Sequence, residues 1–119
     1  MDDAAIAGLL RKRRQISITI IGRRSARPIT IPVWFVCEGT ALWLLPVSGS
    51  RTQWYRNLQK NRAITVQVGS TQCQLRARLL KSRNGVREVV RRFREKYSPA
   101  EIKRWYTGLD VAVQIRLPG

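Results

Sequence analysis

The chain has 119 residues, enough to bury one core and too few for two. It carries 23 Lys and Arg against 7 Asp and Glu, a formal net charge of +16, and no histidine, so its expected partners are anions and His-based triads, proton shuttles and the usual zinc sets are excluded. Hydrophobic residues make up 44%, which predicts a folded domain rather than a disordered basic tail.

Two cysteines, Cys37 and Cys73, cannot build a four-thiolate metal site and are too few for a disulfide-stapled scaffold; both are expected to be reduced and buried. No apolar run approaches the roughly 18 residues of a membrane span. Asp2 and Asp3 stand where a signal peptide would carry Lys or Arg, so the expected compartment is the cytoplasm.

Residues 2–14 begin with acids, place Ile6, Leu9 and Leu10 at helical spacing and end on Arg11, Lys12, Arg13 and Arg14, an order that suits both ends of a helix dipole. β-Branched residues dominate 16–21 and Gly22 follows, which predicts a strand and a turn. After a basic loop, residues 29–36 read as a second strand, with Pro32 predicting an edge position or a bulge. Glu38 and Gly39 make a hairpin turn into a third strand over 41–45. Ser50 and Gln53 have capping-box spacing at the start of a helix over 51–60, in which Trp54 and Leu58 share the buried stripe.

Strands follow over 63–68 and 72–79; in the latter Cys73, Leu75, Ala77 and Leu79 face one way and Gln72, Gln74, Arg76 and Arg78 the other. Val86, Val89, Val90, Phe93 and Tyr97 form the apolar side of the next helix. Ser98, Pro99 and Glu101 open a short helix that Gly108 can close, and Val111, Val113, Ile115 and Leu117 alternate along a sixth strand. About six strands, mostly antiparallel, with two or three helices predict a mainly β fold: a small barrel decorated by helices rather than a parallel βαβ fold.

Arg23, Arg24, Ser25 and Arg27 crowd the loop before Pro28, where guanidinium forks and loop N–H groups suit phosphate or carboxylate oxygens. The turn Ser48, Gly49, Ser50 and Arg51 precedes a helix and suits an anion for a different reason, free backbone N–H groups and small residues. Each alone is more commonly a solvated turn; the pair, in a chain of charge +16, points to an anion site. Trp34, Phe35, Trp43, Trp54 and Tyr55 are core candidates first. Trp34 and Phe35 are adjacent on a predicted strand, however, so their rings point to opposite faces and one must meet a pocket or a partner.

Three blocks carry a family resemblance: Thr-Ile-Ile-Gly-Arg-Arg-Ser-Ala-Arg-Pro from Thr19 to Pro28; Pro-Val-Trp-Phe-Val from Pro32 to Val36 with Glu38-Gly39; and Gln-Trp-Tyr-Arg-Asn-Leu from Gln53 to Leu58, leading through Lys60 and Asn61 into the strand that ends before Gly69. In this order they resemble the deazaflavin-dependent nitroreductase-like family of the flavin-binding split β-barrel superfamily. The resemblance implies a split β-barrel over 16–119 behind an N-terminal helix or arm over 1–15. It implies a deazaflavin coenzyme (factor 420), with FMN as the alternative, and hydride transfer to a small organic acceptor. Arg23, Arg24, Ser25, Arg27, Pro28, Trp34, Ser48, Gly49, Ser50, Arg51 and Trp54 are the cofactor-binding candidates, and Tyr55 is the nearby hydroxyl for a proton donor.

The anionic tail of a deazaflavin suits the excess of Arg, and its own hydride chemistry suits a chain with no His and few acids. A homodimer is a further expectation. The rivals are a basic β-barrel module for single-stranded nucleic acid and docking on an anionic membrane surface through 11–14 and 87–96.

Overall fold

A computed structural model describes residues 3–118. The elements are α1 (Asp3–Arg11), β1 (Ile16–Ile21), β2 (Pro28–Val33), β3 (Val36–Glu38), β4 (Ala41–Leu44), α2 (Gln53–Lys60), β5 (Ala63–Val68), β6 (Thr71–Leu80), α3 (Arg83–Tyr97), α4 (Pro99–Trp105) and β7 (Ala112–Arg116), with one 3₁₀ turn, Gly49–Arg51, before α2. All strand pairs are antiparallel, in the order β2-β1-β5-β6-β7-β4-β3.

That order forces a curl. β2 and β3 are the two outer strands, yet only Trp34 and Phe35 separate them in the chain, so the ends of the sheet must come round to meet. The predicted strand over 29–36 is therefore two strands, and the sheet has seven rather than six. The physical reason is that the Phe35 backbone is bonded outside the sheet: its N–H donates to the Tyr97 hydroxyl at 3.0 Å, and its carbonyl accepts from Lys96 Nζ at 2.9 Å and lies 2.8 Å from the Tyr97 hydroxyl. Pro32 lies on the edge strand, as its missing N–H predicts.

β6 is the other device that bends the sheet. Residues 71–76 pair with β5 and 77–80 with β7, the ladder changing partner at Ala77, whose N–H donates to the Arg62 carbonyl. Its burial alternates as predicted, with Gln72, Gln74, Arg76 and Arg78 exposed.

Two apolar clusters result. Ile18, Ile20, Leu42, Leu44, Val66, Val113 and Ile115 enclose Tyr55 and Leu58 of α2 and Ile6 and Leu10 of α1. Val36, Trp43 and Ala112 are covered by α3, whose predicted stripe of Val86, Val89, Val90, Phe93 and Tyr97 is buried together with Ile102 of α4. Ser98 caps α4 by accepting the Glu101 N–H, with Pro99 in the first turn. Cys37 and Cys73 are unpaired, and they are half-buried rather than buried because each lies near the margin of the first cluster.

Ser50 does not cap α2. The N-cap is Thr52 and the helix begins at Gln53, because Ser50 is held in the 3₁₀ turn by Asp110: its hydroxyl donates to Oδ2 at 2.6 Å and its N–H to Oδ1 at 2.9 Å. Among the described residues, no helix is long and apolar enough to cross a membrane.

Candidate cofactor site

The loop joining β1 to β2 is closed by its own backbone, Gly22 N–H to the Arg27 carbonyl and Ala26 N–H to the Gly22 carbonyl, both at 2.9 Å. The Ser25 hydroxyl accepts the Arg27 N–H and comes so near Gly22 that a Cβ there would stand 2.6 Å from it. This closure sorts the arginines. Arg23 turns inward, its guanidinium donating to Asn57 Oδ1 at 2.8 Å and Gln53 Oε1 at 2.7 Å while its N–H also reaches Asn57, so it fastens the loop to α2. Arg24 and Arg27 are exposed, and their side chains have no hydrogen-bond or ion-pair partner among the described residues. Two free guanidinium groups, the exposed Ser25 and the start of β2 at Pro28 form one anion-ready corner.

The second turn is folded in on itself. Gly49 adopts φ +59°, and any Cβ there would collide with the Asp110 carboxylate. The Ser48 N–H goes to Thr52 Oγ1 at 2.8 Å, and Ser48 bridges to Gly108. The Ser50 hydroxyl, with help from its N–H, holds the Asp110 carboxyl below its ordinary value. The donors offered here to an anion are thus engaged within the chain, those of Ser50 by the Asp110 carboxylate and the others by Thr52 and backbone carbonyls; Arg51 remains exposed beside them.

Beside the second turn lies an aromatic cavity of about 500 Å³. β2 supplies Ile31, Pro32 and Val33; the strand break supplies Trp34; Leu45 and Val47 come from the connection after β4; Thr52 and Trp54 come from the start of α2; Trp105 and Tyr106 come from the end of α4; and Gln15 precedes β1. The volume falls in the usual range for small-ligand sites, and the walls are mostly apolar with few polar groups. The structure therefore brings Trp34 and Trp54 together. It leaves the arginine loop at the far end of β2, where Ile31 is three residues, about 10 Å, from Pro28.

Trp34 is held as a wall by the ring of Tyr97, stacked at 4.4 Å, and by Tyr106 at 6.1 Å. The Tyr97 hydroxyl, pushed up to about 12 by burial, also lies 2.6 Å from the Arg14 carbonyl. Tyr55 is fully buried in the first cluster and does not line the cavity; its hydroxyl, pushed up by burial, is without a partner among the described residues. Tyr106 is the phenol that does line it, and burial raises its hydroxyl well above the ordinary range. Neither Trp105 nor Tyr106 is among the candidates that the sequence motifs single out. The available signal was a tryptophan off the buried stripe of a short capped helix, and Trp105 is 53% exposed.

A mostly apolar, aromatic slot with an anion-ready loop at the other end of the same edge strand fits an anionic cofactor with a planar ring. Comparison with known proteins agrees. The family model of the F420H2-dependent quinone reductases matches residues 2–118. An F420-H2 dependent reductase (FDR-A) superposes with a TM-score of 0.69 at 22% identity, over 87% of this chain and 95% of that one. A domain-swapped dimer superposes with a TM-score of 0.70 at 22% identity, over 87% and 81%. An FAD-binding protein from Mesorhizobium loti gives 0.68 at 15% identity, over 100% and 91%. Comparison with curated proteins gave no match. These likenesses share the split-barrel fold, and the family model goes further: the chain belongs to the F420H2-dependent quinone reductase family and is a deazaflavin-dependent oxidoreductase.

Proposed function

We propose that the chain holds the deazaflavin ring in the aromatic cavity, with the phosphate at Arg24, Ser25 and Arg27, and reduces a planar acceptor of the quinone class. The observation that carries this reading is the placement of Trp34, Trp54 and Tyr106 around one apolar slot at one end of the edge strand β2, with the two unpaired guanidinium groups in the loop at its other end. The reduced coenzyme supplies the hydride. The part of the protein is to press ring and acceptor together and to exclude water, which needs apolar walls rather than titrating catalysts. Tyr106 stays protonated throughout the working pH range and is assigned a hydrogen bond to the acceptor oxygen, since Tyr55 lies outside the cavity. Arg23, Ser48, Gly49 and Ser50 shape the two turns, and Arg51 stands exposed at the second. A homodimer in the cytoplasm is the assembly and compartment we assign, the former supported by the domain-swapped dimer of similar fold.

The test is fluorescence titration with the deazaflavin coenzyme, with FMN and with a single-stranded oligonucleotide, each over a range of salt, followed by quinone reduction. Deazaflavin binding that weakens with salt and with trimming of the anionic tail is expected. Tight, salt-insensitive FMN binding without deazaflavin binding would reassign the cofactor, and oligonucleotide binding with neither would move the chain to the nucleic-acid class.

A further inference from the structure

The segment from Trp105 to Asp110 separates two cavities. Trp105 and Tyr106 line the aromatic slot; Leu109 and Asp110 line a second cavity of about 440 Å³ whose opposite wall is α3. Its apolar lining includes Val86 and Val90, and Lys81, Arg83, Arg87 and Arg94 stand around it. None of these four cations has a carboxylate partner among the described residues, although α3 also carries two glutamates. Glu88 pairs with Arg91 at 3.0 Å and Arg92 at 3.5 Å, and Glu95 with Arg91 at 2.6 Å, so the acids neutralise one side of the helix and leave the other bare. Asp110, the carboxylate at the cavity, is taken by Ser50.

Next to this bare basic surface are the two most exposed large hydrophobic residues described, Trp105 at 53% and Val47 at 45%. Both line the aromatic slot, and four residues of chain, at most about 14 Å, separate Trp105 from Leu109. Lys103 and Arg104 precede Trp105, the Arg104 guanidinium lying 5.0 Å from its ring. Exposed tryptophan beside unpaired Lys and Arg is the chemistry of the membrane interface, where the ring enters the headgroup layer and the cations meet lipid phosphates. A different basic surface, around Arg62, Arg76 and Arg78, lines hollows that contain no aromatic residue and offers charge alone.

We propose that the surface formed by Trp105, Val47 and the unpaired cations around the α3 cavity docks on an anionic bilayer. The proposal goes beyond the assignment of coenzyme and acceptor and does not depend on it. The test is co-sedimentation of the full chain with vesicles of phosphatidylglycerol and phosphatidylcholine, against phosphatidylcholine alone, in about 0.1 M salt, where surface charges act over about 10 Å. Binding to the anionic vesicles only is expected. Arg87→Glu with Arg94→Glu should weaken it at least tenfold, and Trp105→Ser should weaken it and reduce quenching by a bilayer-resident bromolipid. Arg62→Glu with Arg76→Glu makes the same change of charge elsewhere and should leave binding within about threefold, with circular dichroism reporting that each variant is folded. Failure to bind anionic vesicles, an equal loss in the Arg62 and Arg76 variant, or tighter binding to a duplex oligonucleotide that the Arg87 and Arg94 variant abolishes would each overturn the proposal.

Discussion

The rings of Trp34 and Tyr97 stack 4.4 Å apart and within 7° of parallel. The pair joins the break between β2 and β3 to the last turn of α3, so the wall of the aromatic cavity is fixed by a residue that does not line it. Because the Tyr97 hydroxyl also accepts the Phe35 N–H, Tyr97→Phe keeps the stack and strands a buried donor. The expected loss is about 1–3 kcal/mol. Urea unfolding measures it, and an unchanged midpoint would show that the break is held by packing alone.

The arginines of the first loop should separate by effect. Arg23→Ala removes the bonds to Gln53 and Asn57 and is expected to lower stability by about 1–2 kcal/mol. Arg24→Ala and Arg27→Ala remove no such contact and should leave melting unchanged, while weakening coenzyme binding by about 1.5–3 kcal/mol each. Thermal melts and fluorescence titration of the three variants distinguish the roles; equal coenzyme affinity in all of them would remove this loop from the site.

Trp54→Leu keeps an apolar side chain in the slot and removes a flat one. Ring stacking is worth about 0.5–1.5 kcal/mol beyond the area covered, so deazaflavin affinity should fall by roughly 2- to 12-fold. A larger fall with lost helicity would instead mark Trp54 as a structural residue.

Lys96 gives the fold a pH dependence of its own. Burial lowers its amine from 10.5 to about 8, where it donates to the Phe35 carbonyl. Between those values the unfolded chain holds a proton that the folded chain has released, so stability attributable to this group rises with pH. Burial of Tyr97 acts in the opposite sense above about 10, where the unfolded chain loses a proton that the folded chain keeps up to about 12. Compared with Lys96→Met, the wild-type chain should therefore gain stability as pH rises from 8 to 10. Parallel curves for the two proteins in urea titrations would contradict the assignment.

What was legible in the sequence was what the sequence decides locally. β6 shows its alternation because one face is wet, and α3 shows its stripe because it lies on a sheet. The Ser98 cap sits three residues from the N–H it accepts. The misreadings have distant causes: the predicted second strand is broken by Tyr97 and Lys96, more than 60 residues onward, and the capping box at Ser50 is dissolved by Asp110, 60 residues onward. The cavity followed the same rule. Trp34 and Trp54 lie within the motif blocks, whereas Trp105 and Tyr106 reach the slot beside long-range contacts, the Val47 carbonyl accepting the N–H groups of Thr107 and Gly108 and the Tyr106 ring packing near Trp34.

The place of β7 bears on how the protein comes into being. It is the last of the described strands, but it lies inside the sheet, with Ala112 to Ile115 against β6 and Val113 to Arg116 against β4. Before it emerges during synthesis, the β3–β4 hairpin has no sheet to join and residues 77–80 of β6 present a bare edge. Val113 and Ile115 are missing from one core and Ala112 from the other. Closure is a late, non-local event, the slow kind of β pairing that leaves edges and apolar surface open to aggregation in the interval. A nascent chain paused before residue 112 would be a natural client for a chaperone, and the cavity walls carried by β2 and α4 would come together only once that final strand had closed the sheet.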